Sequence, residues 1–184
     1  MLFKRPLSLL LILKCLILSL PLVADLNIST RVLDNIEAQY NKFARQRVED
    51  WQKLVDENKD LPEAEKLALV NQFFNTNVLF IDDIDLWNKK DYWATPSELF
   101  GHSRGDCEDY AIAKYVALLH LGIDSSKLRL IYVKAKIGRS RVTQAHMVLG
   151  YYDSPSSDPL VLDSLVSNVL PGSQRTDLIP VFSF

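Results

Sequence analysis

The chain has 184 residues, 48% of them hydrophobic and 24% charged, with a formal net charge of −2. That composition suits one globular domain with a real core. No basic run or basic-aromatic interleaving occurs, so nucleic acid is excluded as a partner class.

The N-terminus is set apart from the rest. Lys4 and Arg5 precede an almost wholly aliphatic run from Leu7 to Leu20, and Leu22-Val23-Ala24 offers a small-residue cleavage site. Residues 1–24 read as an export signal, leaving a domain from 25 to 184. Lys14 interrupts the apolar run and weakens it as a membrane-spanning helix, with an uncleaved anchor as the alternative. With Cys15 in that segment, the exported domain holds a single thiol, Cys107. In an oxidising compartment such a thiol is an intermolecular bridge, an inert buried group or a reactive one. Its neighbours are charged, which disfavours inert burial.

In chain order, residues 29–58 read as one long helix, with Val32, Ile36, Tyr40, Phe43, Trp51, Leu54 and Val55 along one stripe. Pro62 suits the first turn of a second helix carrying Leu67, Val70, Phe73 and Phe74. Val78 to Ile81 is apolar and leads into Asp82-Asp83-Ile84-Asp85. This acidic run fails the EF-hand template, since Asn88 falls where the glycine belongs and Thr95 where the glutamate belongs. It reads as a solvated turn able to lend one ligand to a cation bound elsewhere. Thr95 and Pro96 form an N-cap and first helical position, and 101–105 reads as a loop delivering the chain to Cys107.

Arg104-Gly105-Asp106-Cys107-Glu108-Asp109-Tyr110 is the stretch that bears chemistry. Ala111, Ile112, Tyr115, Val116 and Leu119 recur at helical spacing, and Gly122 is placed to end the helix. Cys107 therefore sits in a first turn, where unsatisfied N–H groups and the macrodipole favour a thiolate. Asp106, Glu108 and Asp109 oppose that by raising the thiol pKa. A cation held by these carboxylates would remove the conflict. In the alternative reading they are only cap and dipole partners, with Asp106 as N-cap and Asp109 three residues on.

Beyond Gly122 the pattern becomes strand-like, at 128–135, 145–152, 159–162 and 178–184, with turns at 138–141 and 154–159. Helices followed by an antiparallel sheet define an α+β fold. A thiol nucleophile needs a base, and the base an orienting group. His120 is too far along the helix, about 20 Å from Cys107 at 1.5 Å per residue. His102 lies on the approach loop. His146 lies in a strand, on one face with Val148 and Gly150, whose missing side chain leaves room for a substrate or a helix. Asp163 ends the next strand. Cys107 as nucleophile, His146 as general base and acid, and Asp163 as orienter make a complete triad.

A cysteine opening a helix, followed by a histidine and an aspartate on successive strands, resembles the papain/transglutaminase-like fold. Asp91-Tyr92-Trp93-Ala94-Thr95-Pro96, Gly105-Asp106-Cys107-Glu108-Asp109-Tyr110 with Ala113-Lys114-Tyr115, Ala145-His146-Met147-Val148 and Leu162-Asp163 resemble the bacterial transglutaminase-like cysteine peptidases of the LapG type. The likeness extends to Arg175-Thr176-Asp177-Leu178. It implies a periplasmic, calcium-dependent cysteine endopeptidase that cuts the N-terminal region of a large surface adhesin and releases biofilm cells. It also implies an inner-membrane cyclic di-GMP receptor that sequesters the enzyme. By motif, Asp106, Glu108 and Asp109 carry over as calcium residues, with Asp85 as first choice for a further ligand from the acidic run. Trp93 carries over as a contributor to the oxyanion site with the Cys107 N–H. The resemblance further implies some tens of residues beyond the position of Phe184. Two rivals remain at this stage: an acyl transferase using the same triad, and a calcium-binding regulatory module without turnover.

Overall fold

A computed structural model describes residues 27–136, 138 and 142–184. Residues 1–24, expected to be an export signal and carrying Cys15, and most of the 138–141 turn lie outside the described residues.

The first expected helix is two. Helix α1 spans Thr30–Gln39 and α2 spans Lys42–Glu57. Asn41 separates them because its side-chain oxygen accepts the N–H groups of Phe43 and Ala44, at 2.9 and 3.0 Å, starting a new helix. The apolar stripe runs across the break, so spacing alone joins what a cap divides. Helix α3, Glu63–Asn77, follows with Pro62 as its N-cap, and buries Leu67, Val70 and Phe74.

The apolar 78–81 run forms β1, Leu79–Phe80, which pairs in parallel with β2, Arg104–Gly105. Between them lie α4, Asp83–Trp87, and α5, Pro96–His102. The expected solvated turn is thus a short helix with Asp83 buried in its first turn. The expected loop at 101–105 is the last two residues of α5, a turn at Ser103 and the two residues of β2. Thr95 caps α5 as predicted, reciprocally with Glu98, and Pro96 takes the first helical position. Helix α6, Cys107–His120, then runs through the centre of the molecule. It ends where Gly122 takes φ +85°, with Gly122 N–H donating to Leu119 and Ile123 N–H to Leu118, both at 3.0 Å. This is a Schellman closure, which a side chain at position 122 would strain.

The sheet comprises β3 (Leu128–Lys136), β4 (Thr143–Tyr151), β5 (Leu160–Leu162), β6 (Leu170–Pro171) and β7 (Leu178–Ser183). Its order is β6-β5-β4-β3-β7, antiparallel at every pairing. The main core lies between helices and sheet, where Trp51, Phe74, Leu99 and Leu118 meet Leu128, Leu149, Tyr151 and Leu162. A smaller cluster of Ile131, Val133, Val148 and Val161 covers the other strand positions. The α+β expectation holds, with α6 packed between α3 and β4.

Candidate active site

Cys107 is the first residue of α6, half-buried at the floor of a cleft of about 620 Å³. His146 opens onto the same cleft from β4. Met147, next to His146, lines the cleft with Cys107, and its backbone N–H acts to lower the thiol pKa, against the larger effects that raise it. Trp93, Tyr132, Phe182 and Phe184 line the remaining wall, with Trp93 stacked on Phe184 at 6.4 Å between ring centroids.

Strand register explains how Asp163 reaches His146. Leu162 pairs with Leu149, so continuing the antiparallel ladder sets Asp163 opposite Val148. His146 lies two residues before Val148 and so shares its face, diagonal to Asp163. His146 Nε2 and Asp163 Oδ1 lie 2.7 Å apart, both residues almost wholly buried. Because Nε2 is engaged by the carboxylate, Nδ1 is the nitrogen left for the thiol. Asp163 Oδ1 also accepts the Leu165 N–H at 3.0 Å, and Oδ2 accepts from Arg175 Nη2 at 2.6 Å. Burial pushes the Asp163 carboxyl up, but the bond to His146, the field of that imidazole and the Leu165 and Arg175 donors outweigh it and hold it at about 2. It is an anion in a fixed orientation.

Arg175 stands in the sequence only as part of the motif at 175–178, with no role attached; it is 4% exposed and also bonds Asp177. The available signal was a lone arginine beside an aspartate just before the last strand. The room expected at Gly150 is filled. A Cβ there would lie 2.6 Å from Ile131 Cδ1, so the glycine admits a neighbouring strand's side chain rather than a substrate or helix. The other histidines stand elsewhere: His102 is edge-on to Tyr40 and Trp87, and His120 is edge-on to Trp51.

The opposite side of Cys107 is acidic. Asp109 Oδ1 accepts the Ala94 N–H at 2.8 Å and its Oδ2 accepts the Asp106 N–H at 3.3 Å. The bond to Asp106 is the capping role read from the sequence, and the bond to Ala94 adds a tie from the Trp93 segment to the start of α6. Asp83, Asp106 and Asp109 each present an oxygen within 4.8 Å of the others, and Asp83, Asp91 and Glu108 form a second such group. Asp83 Oδ2 accepts the Tyr92 N–H, while Asp83 Oδ1 and Asp106 Oδ1 are buried without partners. Cys107 Sγ lies 3.1 Å from Glu108 Oε2.

Such crowding is costly without positive charge. Burial, then the bond to Glu108 and the surrounding carboxylates, push Asp106 up to about 9. Burial likewise lifts Asp109 to about 6 against its two backbone donors, and raises Asp83. Burial and Glu108 push the Cys107 thiol far above its ordinary value. The conflict inferred from sequence is real in three dimensions.

Orphaned buried carboxylate oxygens in an all-oxygen group are the donors a hard cation takes, calcium before a soft metal. Asp85 is the exception among the expected ligands. It is exposed and outside both groups, whereas Asp83 is 3% exposed. In a helix the two positions differ by about 200° around the axis, so only one of them can face inward. The inward one is Asp83.

A transglutaminase-like cysteine peptidase is the class that this helix, sheet and cleft define. The chain belongs to the bacterial transglutaminase-like cysteine proteinase family (BTLCP), whose model matches residues 32–176. Among solved structures it is similar to Legionella pneumophila LapG, with 39% identity over 85% of this chain. The EGTA-treated form superposes with a TM-score of 0.73 over 82% of its own length, and the calcium-bound form with 0.72 over 84%. No curated protein matches the chain.

Proposed function

We propose that the protein is a calcium-dependent cysteine endopeptidase with Cys107 as nucleophile, His146 as general base and acid, and Asp163 as orienter. The observation that carries this reading is the buried His146–Asp163 pair at 2.7 Å, opening onto the cleft that holds Cys107. Asp163 fixes the imidazole with Nε2–H toward itself, so Nδ1 accepts the thiol proton. The thiolate attacks the scissile carbonyl carbon, and the Cys107 backbone N–H at the start of α6 faces the oxyanion. Trp93, at the cleft wall, is the side chain placed to assist it. As the tetrahedral species collapses, His146 returns the proton to the leaving amine. Water then attacks the thioester, giving up its proton to His146, and the released acid leaves Cys107 restored.

Asp83, Asp106, Asp109 and Glu108 would hold the calcium ion, with Asp91 at the rim. Bound there, it supplies positive charge that offsets the carboxylates beside the thiol. Membership of the family and the calcium-bound form of Legionella pneumophila LapG support this assignment.

The proposed substrate is the N-terminal region of a large surface adhesin, cut in the periplasm after export directed by residues 1–24. An inner-membrane cyclic di-GMP receptor would sequester the enzyme and so couple cleavage to biofilm dispersal. Support for these partners is the family likeness. The test is incubation with the N-terminal segment of a large adhesin from the same genome, with calcium, with chelator, and with Cys107→Ala. Cleavage that needs both calcium and Cys107 is expected. Cleavage that survives chelation would reduce the acidic group to helix capping, and cleavage by Cys107→Ala would remove the nucleophile.

A further inference from the structure

Two helical turns beyond Cys107, on the same face of α6, stands Lys114. Its side chain is entirely buried, and its ammonium donates to Asn71 Oδ1 and Asn75 Oδ1, both at 2.7 Å. It also lies over the Tyr110 ring, 5.4 Å from the centroid. Among the described residues no carboxylate bonds it, and the field of opposite sign that acts on it is that of Asp163.

As a contribution to stability this arrangement is poor. A buried ammonium held by two neutral amides loses its hydration without gaining a counter-ion, and a methionine of similar length would fill the space at lower cost. What methionine cannot do is choose the orientation of the two asparagines. An amide has one accepting end and one donating end. The ammonium, a pure donor, claims both Oδ1 atoms, so both NH2 groups must point away from it. They point at the backbone that follows β5. Asn75 Nδ2 donates to the carbonyl of Asp163 at 2.8 Å, and Asn71 Nδ2 to those of Ser167 at 2.8 Å and Val166 at 3.3 Å. These bonds run from the cysteine helix through α3 to the segment bearing the aspartate. They link the two halves of the site at a point outside the lining of the cleft.

We propose that Lys114 is a positioning residue that, by fixing the amides of Asn71 and Asn75, holds the 163–167 segment and thereby Asp163 in register with His146 and Cys107. The inference rests on the triad reading given above. Lys114 and the asparagines touch neither the cleft nor the acidic group; they act through Asp163.

The discriminating variant is Asn75→Asp. The new carboxylate pairs with the Lys114 ammonium, so a purely structural role predicts unchanged or higher stability and unchanged reactivity. A positioning role predicts loss, because a carboxylate cannot donate to the Asp163 carbonyl. Asn75→Ala, at a half-buried helical position, removes the same donor without adding charge. Two readouts on the full chain, at fixed pH in calcium-replete buffer, test this. One is the rate of Cys107 alkylation by iodoacetamide. The other is the downfield proton resonance of the His146 Nε2–H to Asp163 hydrogen bond.

Both variants, folded by circular dichroism, should alkylate about 5- to 20-fold more slowly than the unsubstituted protein, a change of about 1–2 kcal/mol. Their downfield resonance should shift or broaden. Alkylation and resonance matching the unsubstituted protein in a folded Asn75→Asp would overturn the proposal, as would slower alkylation with an unmoved resonance. If the unsubstituted protein itself alkylates no faster than free cysteine and shows no such resonance, the triad reading fails first, and the positioning role falls with it. Failure of the two readings is therefore told apart within one experiment.

Discussion

The two flanks of Cys107 are built on opposite electrostatic terms. On the His146 side, the buried Asp163 carboxylate has both oxygens bonded, Oδ1 by His146 and Leu165 and Oδ2 by Arg175. On the Asp106 side, the carboxylates of Asp83, Asp91, Asp106, Glu108 and Asp109 converge, with backbone N–H donors for Asp83 and Asp109 and two buried oxygens, on Asp83 and Asp106, without partners among the described residues. Both flanks are buried and acidic, yet Asp163 is held at about 2 while Asp106 rises to about 9. One flank is finished by the chain's own residues, and the other offers the carboxylate oxygens that the proposed calcium ion would take. On the proposed function, a site split this way is complete only with calcium bound, which would make its chemistry depend on the ion.

The largest effect that tests this contrast is at the junction itself. Cys107→Ala should abolish cleavage of the adhesin segment to the uncatalysed background while leaving the folded structure intact by circular dichroism. Residual cleavage at even a hundredth of the original rate would place the nucleophile elsewhere.

Next in size is the finished flank. Arg175→Met leaves Asp163 without its guanidinium and should destabilise by about 3–5 kcal/mol, the usual consequence of breaking a buried ion pair. The measurement is the urea midpoint, paired with the alkylation rate of Cys107 at a temperature where the variant is folded. A loss below about 1 kcal/mol would mean that His146 and Leu165 suffice to hold the anion.

The unfinished flank responds to calcium and pH together. Without calcium, Asp109 at about 6 and Asp106 at about 9 bind protons more tightly in the folded state than in the unfolded chain, where aspartates titrate near ~4. Their stabilising contribution is full below about pH 4 and is lost as pH rises through 6 and 9. Asp163, held at about 2, has the reverse sign: it stabilises above about pH 4, and that contribution is lost as pH falls toward 2. Thermal unfolding in EGTA should therefore show the melting temperature falling between pH 5 and 9. Calcium at about a hundred times its dissociation constant should add about 2.7 kcal/mol at pH 8. For a chain of this size that is a rise of about 5–10 °C, largest at high pH. A calcium-independent melting temperature would leave the acidic group as caps alone.

How much of this is legible in the sequence follows the range of the forces involved. Local chemistry was readable: the Thr95–Glu98 cap, the Asp106–Asp109 start of α6 and the Gly122 stop all depend on residues within a turn of each other. The His146–Asp163 meeting was also readable, because alternation and adjacent strands fix it with little freedom. The break at Asn41 was missed because an unbroken apolar stripe outweighed one capping side chain. Arg175 and Lys114 were missed as partners because a cation's burial depends on contacts 12 and about 40 residues away in sequence. No local pattern marks that.

Asp83 and Asp85 show the same limit at its smallest scale, and they give the finest test of the contrast. The run of aspartates does not say which one turns inward; the packing of α4 beside β2 decides it. Asp83→Asn removes one charge from the buried group and should weaken calcium binding tenfold or more, about 1.4 kcal/mol. The calcium-free protein should become more stable, since one of the like charges raising Asp106 and Asp109 is gone. Asp85→Asn changes a solvated side chain, and its stability should stay within about 0.5 kcal/mol of the parent. Its calcium affinity should be unchanged by calorimetric titration. Equal losses in the two variants would mean that the ion is held by the net charge of the acidic run. A loss confined to Asp83 would mean that it is held by the inward carboxylates beside Cys107, and only a site of that kind can govern the thiol.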